Sequence, residues 1–315
     1  MEKVLKQLRG KFINDMMLPL SIVETPYFED RLKLLEKDYS TNSKYSMLME
    51  TIKNYFNDSP QAFLECRNHI KDKILSELSN SEAYKEFNSD NSTNTPYTPI
   101  APSVELYTEE QNGGLFISYD MVKANFQALR YANPIIVHNC KTWEEFVEQY
   151  TYLEYFKEAK QIRQEIFGKL NGKKLANIEK RLSNNFAKQL VGEYGDKFTP
   201  FSIKTDEIIF KFNGNEEDFE NLEIKDRIFD SIEFRANKFK LHKRVFERPF
   251  SDKPLNVYEK EDYLNGHRRI LKCVPATYYP QVYKLLNGME INASDLIFHY
   301  ENELCQFMSQ LKLVK

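Results

Sequence analysis

Three groups of side chains in this 315-residue chain have the types and spacing to handle phosphate chemistry. The first is acidic. Asp120 ends the apolar run Leu115–Tyr119, and Asp206-Glu207 interrupts the β-rich segment FSIKTDEIIFKF at 201–212. Antiparallel strands hold facing carboxylates ~5 Å apart, and without relief their repulsion keeps one protonated. A divalent cation between Asp120 and Asp206 removes that repulsion, and hard carboxylate oxygens suit Mg²⁺ or Mn²⁺. Two such ions ~3.5–4 Å apart stabilise both the attacking and the leaving oxygen of a phosphoryl displacement. The competing reading is a set of strand-capping acids that merely face water.

The second group is basic. Lys157, Lys160 and Arg163 recur at three-residue steps, with Phe167 following, and such steps share one helix face. Cations opposite a carboxylate–metal site are what a triphosphate needs. Pairing with Glu154, Glu158 and Glu165 on a solvated face is the alternative. The third group is Arg235, Lys238, Lys240, Lys243, Arg244 and Arg248, with Glu247 the one acid among residues 235–248. It suggests a strip contacting a phosphate backbone, although an ordinary solvated β-ribbon has the same composition. Tyr278, Tyr279 and Tyr283, near Arg268 and Arg269, could stack on bases or pack a core.

The elements that must position these groups follow from periodicity. Residues 1–87 read as helical, with Phe63, Ile70, Ile74 and Leu78 on one stripe. Residues 88–103, rich in Asn, Ser and Thr with Pro96, Pro99 and Pro102, mark a boundary. A hairpin is expected from Val104 to Tyr119 around Asn112-Gly113-Gly114. A helical hairpin follows at 143–166 and 175–190, then a strand over 201–212 that turns at Asn213-Gly214. A further strand pair is expected at 231–246 around Ala236-Asn237. The last sixty residues mix turns with helices, the final one beginning near Asn292–Asp295. Helices segregated around an antiparallel sheet make an α+β fold.

Composition narrows the classes. Lys and Arg total 44 against 47 Asp and Glu, a net charge of −3, which excludes a polybasic chain while allowing one basic groove. No apolar run approaches the ~18 residues of a membrane span, and residues 1–20 lack the apolar core of a signal peptide. Cys66, Cys140, Cys273 and Cys305 stand alone, which suits a reducing compartment. The expectation is an intracellular protein, cytoplasmic or nucleoid/nuclear, with no membrane partner. Glycine is scarce, and neither GxGxxG, GxxxxGK[ST] nor HExxH occurs.

The order of these segments resembles the palm-domain nucleic-acid polymerases over roughly residues 104–245. YDMVKANFQALR resembles their first acidic motif, with Asn125 at the sugar-gate position. AKQIRQEIFGKLNGK is similar to the fingers-helix motif of family A, its steps falling on Ala159, Arg163, Phe167 and Asn171-Gly172. Ala159 replaces a basic residue there and Asn171 a tyrosine. KTDEIIF resembles the closing acidic motif, and NKFKLHKR the Lys-rich segment that follows it in family B. The resemblance implies a helical N-terminal region (1–95), a palm-like sheet (96–250) carrying a fingers-like helical insertion (141–195), and a helical, thumb-like C-terminal region (251–315). It implies a compact nucleotidyltransferase that extends the 3′ end of a nucleic-acid primer or primer/template from nucleoside triphosphates. Asp120 and Asp206 would ligate the metals with Glu207 beside them. Lys160 and Arg163 would hold the triphosphate, Phe167 would stack on the incoming base or sugar, and Lys238, Lys240, Lys243 and Arg244 would contact nucleic acid.

Two rivals stand beside this reading. One is a non-catalytic α+β protein that binds nucleic acid or another protein. The other rests on Lys169-Leu170-Asn171-Gly172, which resembles the lysine motif of covalent nucleotidyltransferases, whose lysine attacks an α-phosphate.

Overall fold

The computed structural model describes residues 2–90, 97–249, 251–301 and 303–314. Its N-terminal part is helical: α1 (Glu2–Asp15), α2 (Tyr27–Tyr39), α3 (Thr41–Tyr55), α4 (Pro60–Asn80) and α5 (Glu82–Ser89). Local chemistry explains the longest of these. Ser59 caps α4 by accepting from the Ala62 amide at 3.2 Å, and Pro60 sits where a helix needs no amide donor. Phe63, Ile70, Ile74 and Leu78 then bury one stripe. The boundary expected at 95/96 lies outside the described residues.

Next comes strand β1 (Leu115–Met121), which leads into α6 (Ala124–Ala132). The helices α7 (Trp143–Glu148), α8 (Tyr155–Glu158), α9 (Lys160–Gly168) and the 23-residue α10 (Gly172–Tyr194) follow. Strands β2 (Phe198–Ile203) and β3 (Glu207–Phe212), helix α11 (Glu216–Glu220), and strands β4 (Arg227–Phe229), β5 (Ile232–Glu247), β6 (Leu255–Asp262) and β7 (Arg268–Lys272) come next. The chain closes with α12 (Tyr279–Leu286), β8 (Ile297–Tyr300), β9 (Glu303–Gln306) and β10 (Lys312–Leu313). The architecture is α+β. One open antiparallel sheet runs β2-β3-β1-β5-β6-β7, with β4 and β10 pairing opposite ends of β5, while β8 and β9 form a separate hairpin. No helix among the described residues is long and apolar enough to cross a membrane.

The two faces of the sheet differ. One carries Ile117, Tyr119, Ile208, Phe210 and Phe234 and packs under the helices as part of the main core. Phe186 of α10 anchors that face, its ring 5.4 Å from Tyr119 and 4.5 Å from Phe234. The other face carries Phe116, Ile209, Phe239, Leu241 and Tyr258, covered in part by Leu106 from the segment preceding β1. Asp120 and Glu207 fall on this second face, because side chains alternate along a strand.

Several expected elements are replaced. Residues 104–108 form no strand; Leu106 instead folds over the second face, and the Glu105 carboxylate accepts from the Leu106 and Tyr107 amides. Residues 201–212 are two strands rather than one, with the turn at 204–206, so the acidic pair sits at a hairpin tip. The 231–246 segment is one strand of 16 residues. Its turn comes earlier, at Asp230-Ser231, where both residues hold the positive φ (49° and 64°) that a two-residue hairpin demands. The first arm of the helical hairpin is broken into α7, α8 and α9. The region after 250 is not mainly helical: β6 and β7 extend the same sheet, so the expected boundary at 250/251 divides a single sheet. Asn292–Asp295 opens a short 3₁₀ turn before β8 rather than a helix.

Candidate active site

A cleft of about 300 Å³ opens where β1, the β2–β3 turn, α6, α9 and β5 meet. Asp120, Lys123, Asn125, Lys160, Arg163, Gln164, Asp206 and Arg235 line it. Strand register explains the acidic side. Asp120 faces Glu207 across the β1–β3 ladder and Arg235 across the β1–β5 ladder. The turn is held from two directions: the Met121 amide donates to the Asp206 carbonyl at 2.8 Å, and the Ser183 hydroxyl of α10 donates to the Thr205 carbonyl at 3.2 Å. Asp120 and Asp206, 86 positions apart in the sequence, therefore share one backbone scaffold.

Electrostatics mark this as a site of accumulated negative charge. The Asp120 carboxyl opens to the cleft but is walled by protein. Desolvation, then Glu207 and Asp206, push its pKa up to about 6. Asp206 is raised by the same causes, desolvation first and Glu207 after it. Behind it lies Glu179 of α10, 4% exposed, with Oε1 lacking a hydrogen-bond partner and a pKa raised to about 7, first by burial and then by Asp206.

The opposing wall is cationic. Lys160, Arg163 and Gln164 are spaced i, i+3 and i+4 on α9, which puts them on one side of that helix. Arg163 lies 5.9 Å from the Trp143 ring centroid, and burial pushes its pKa down to about 10. Among the described residues, neither Lys160, Arg163 nor Arg235 has an ion-pair partner or a side-chain hydrogen bond. Lys123, in the left-handed region at φ 51°, caps α6 and is ion-paired with Glu144. Burial first, then the nearby Arg163, pushes its pKa down to about 8.

The structure thus brings Asp120, Asp206, Lys160, Arg163 and Asn125 into one cleft with Glu207 at its edge. It does not bring in the others. Phe167 is 0% exposed, its ring against Phe126 and Trp143 at 6.2 and 5.9 Å, so it is core and stacks on no ligand. Lys157 is separated by the break at Ala159 and pairs with Glu148 and Glu154. Lys169 caps the end of α9, exposed and away from the cleft lining, which removes the geometry a covalent lysine needs.

The expected strip on β5 is also dismantled. Lys238 is 3% exposed and donates to the Glu220 and Leu222 carbonyls. Lys240 pairs with Glu216, Lys243 with Glu109, and Arg244 with Glu259. Alternation sends Lys243 to the face opposite Lys240 and Arg244. Arg235, counted in the strip, belongs to the cleft. Tyr279 and Tyr283 are buried, and the half-buried Tyr278 stacks on Phe307 at the margin of a core cluster.

Sequence reasoning missed Lys123, Glu179 and Lys260. Glu179 carried a signal, since it follows Ile178 on the stripe of Leu175 and Leu182, where an acid is out of place. Lys260 carried none; its Nζ reaches to 3.8 Å from Glu207 over the sheet face, from β6 to β3.

Comparison with protein-family models, with curated proteins and with solved structures gave no match for this chain. The functional reading therefore rests on the cleft.

Among the described residues no three His, Cys, Asp or Glu side chains converge as a protein-only metal cage requires. One or two carboxylates completed by water and substrate phosphates is the donor set Mg²⁺ usually takes. The charge crowding on Asp120, Asp206 and Glu207 fits such an ion.

Proposed function

We propose that the chain is a compact palm-type nucleotidyltransferase adding nucleotides to a nucleic-acid 3′ end. The observation that carries this reading is the cleft itself. Carboxylates Asp120 and Asp206 lie on one wall, and around it lie Lys160, Arg163 and Arg235, which have no ion pair or side-chain hydrogen bond among the described residues. A triphosphate is the ligand class that satisfies both sides at once. Asp120 and Asp206 would hold Mg²⁺ or Mn²⁺, with Glu207 adjacent; the bound ion would supply charge stabilisation at the transferred phosphoryl group.

The chain's own residues do the rest. Lys160 and Arg163 bind the phosphates as charge-assisted donors, and the partial burial of Arg163 strengthens its share of those bonds. The Trp143 ring, 5.9 Å from Arg163, packs against the guanidinium. Arg235, register partner of Asp120, adds a further cation at the cleft, while Lys160 partly relieves the acids. Asn125 on α6 lines the cleft where a sugar would sit. The 3′-hydroxyl gives up its proton to solvent and attacks the α-phosphate; the phosphodiester bond forms as the α–β phosphoanhydride bond breaks, and pyrophosphate leaves.

The test is extension of a labelled primer, with and without template, by the full chain with each nucleotide set and Mg²⁺ or Mn²⁺. Extension that disappears in Asp120→Asn and Asp206→Asn supports the reading. Nucleotide binding without any extension would reduce the cleft to a non-catalytic binding site.

A further inference from the structure

With the cations of β5 held by carbonyls and acids from neighbouring segments, the path of a nucleic acid must be sought elsewhere. Beside Glu207, and outside the lining of the cleft, lies a second group of cations. Lys260 of β6 is largely enclosed, its Nζ 4.1 Å from the Phe239 ring centroid, 5.8 Å from that of Tyr107 and 3.8 Å from the Glu207 carboxylate. Lys204 and Lys272 are near enough to disfavour its charge. Register puts these groups on the face of Asp120: Lys260 pairs with Leu241 and Lys272 with Tyr258, both in the cluster of that face.

The partnering here is thin. Among the described residues Lys272 has no ion pair, and Lys204 has only Glu105 at 3.9 Å. Tyr107 is half-buried beside them, its ring 5.6 Å from that of Tyr258. Cations with an aromatic ring between them, on an open sheet face, are the elements of a single-strand site: phosphates meet lysines and a base stacks on the ring.

We propose that Tyr107, Lys204, Lys260 and Lys272 bind the 3′-terminal nucleotides of a single nucleic-acid strand, next to the acids and across them from the triphosphate cations. This deepens the nucleotidyltransferase reading and rests on it for the orientation of the strand. Binding itself can be measured separately.

The experiment is fluorescence anisotropy of a labelled 12-nucleotide single strand with the full chain, in EDTA and without nucleotide, over a salt series. Lys260→Ala/Lys272→Ala should weaken binding about tenfold or more at low salt and reduce the log–log salt slope by ~1.4, two contacts at ~0.7 each. Lys272→Ala alone, on a side chain with no ion pair among the described residues, should remove ~0.7. Tyr107→Ala should weaken binding ~5–100-fold, with Tyr107→Phe restoring it, since the ring and not the hydroxyl stacks. Unaltered affinity in Lys272→Ala and Tyr107→Ala overturns the site, even if primer extension is normal. Equal competition by inorganic polyphosphate, indifferent to Tyr107, overturns the nucleic-acid assignment. Patch-dependent binding without extension upholds the site and sinks the catalytic reading instead.

Discussion

Lys160, Arg163 and Arg235 around the cleft and Lys238, Lys240, Lys243 and Arg244 along β5 carry the same kinds of charge in opposite circumstances. Every cation of the β5 group has a partner supplied by the fold: two backbone carbonyls for Lys238, and Glu216, Glu109 and Glu259 for the others. The cleft group has none among the described residues, although Arg163 has lost much of its water. A desolvated cation without a partner costs free energy that a fold ordinarily avoids. Where it persists, an anionic ligand is the natural completion. Density of positive charge in the sequence is therefore a poorer guide to ligand binding than the bookkeeping of which charges remain unmatched.

The largest effect that would break or sharpen this contrast lies at the acids. Asp120→Asn or Asp206→Asn should lower primer extension by ~10³-fold or more, the loss of several kcal/mol of charge stabilisation at 1.36 kcal/mol per decade. Circular dichroism should show the fold intact. Activity within tenfold of the parent chain would remove both residues from the chemistry.

Next come the unpartnered cations. Arg163→Ala should reduce kcat/KM for nucleotide by ~10–100-fold, the value of one charge-assisted contact at ~1.5–3 kcal/mol. Phe167→Leu, by contrast, should leave the nucleotide KM within about twofold while lowering the melting temperature, because that ring fills core volume. A raised KM without loss of stability in Phe167→Leu would return the ring to the site.

A subtler effect concerns pH. The folded-state pKa of Asp120 is about 6, above its ordinary 3.8, so the native state holds the proton more tightly than the unfolded chain. Stability should then fall as pH rises from ~4 towards ~6 and level off above. Asp120→Asn should raise the melting temperature at pH 7 in EDTA by ~1–3 °C and give no gain near pH 4. An equal gain at both pH values would mean the carboxyl is not strained by its neighbours.

The smallest effect belongs to the β5 group. Lys240→Ala and Arg244→Ala should change oligonucleotide and nucleotide affinity less than twofold and stability by under ~1 kcal/mol each, as partly exposed ion pairs do. A marked loss of oligonucleotide affinity would show that Glu216 and Glu259 yield to phosphate, and would restore the strip.

Much of the local structure was determined by the sequence itself. The stripe of α4 with its Ser59-Pro60 start, the buried run of β1 ending in Asp120, and the stripe of α10 all follow from periodicity and capping, which depend on near neighbours. The acidic wall was legible for the same reason: an acid at the end or in the middle of an apolar β run has few bland uses. The cationic wall was partly legible, because i, i+3 spacing survives in α9, but the break at Ala159 that dismisses Lys157 left no local mark. Only the tertiary structure decided which strands adjoin. The β1–β3 and β1–β5 registers, made between segments more than eighty residues apart, place Glu207 and Arg235 on either side of Asp120. The order of strands in one sheet, β3-β1-β5-β6, lets Lys260 reach Glu207 over the shared face. Packing likewise turned Phe167 inward and gave the β5 cations their acids. Spacing along a chain records which side chains share a face. It does not record what lies opposite that face, and electrostatic free energy depends on what lies opposite.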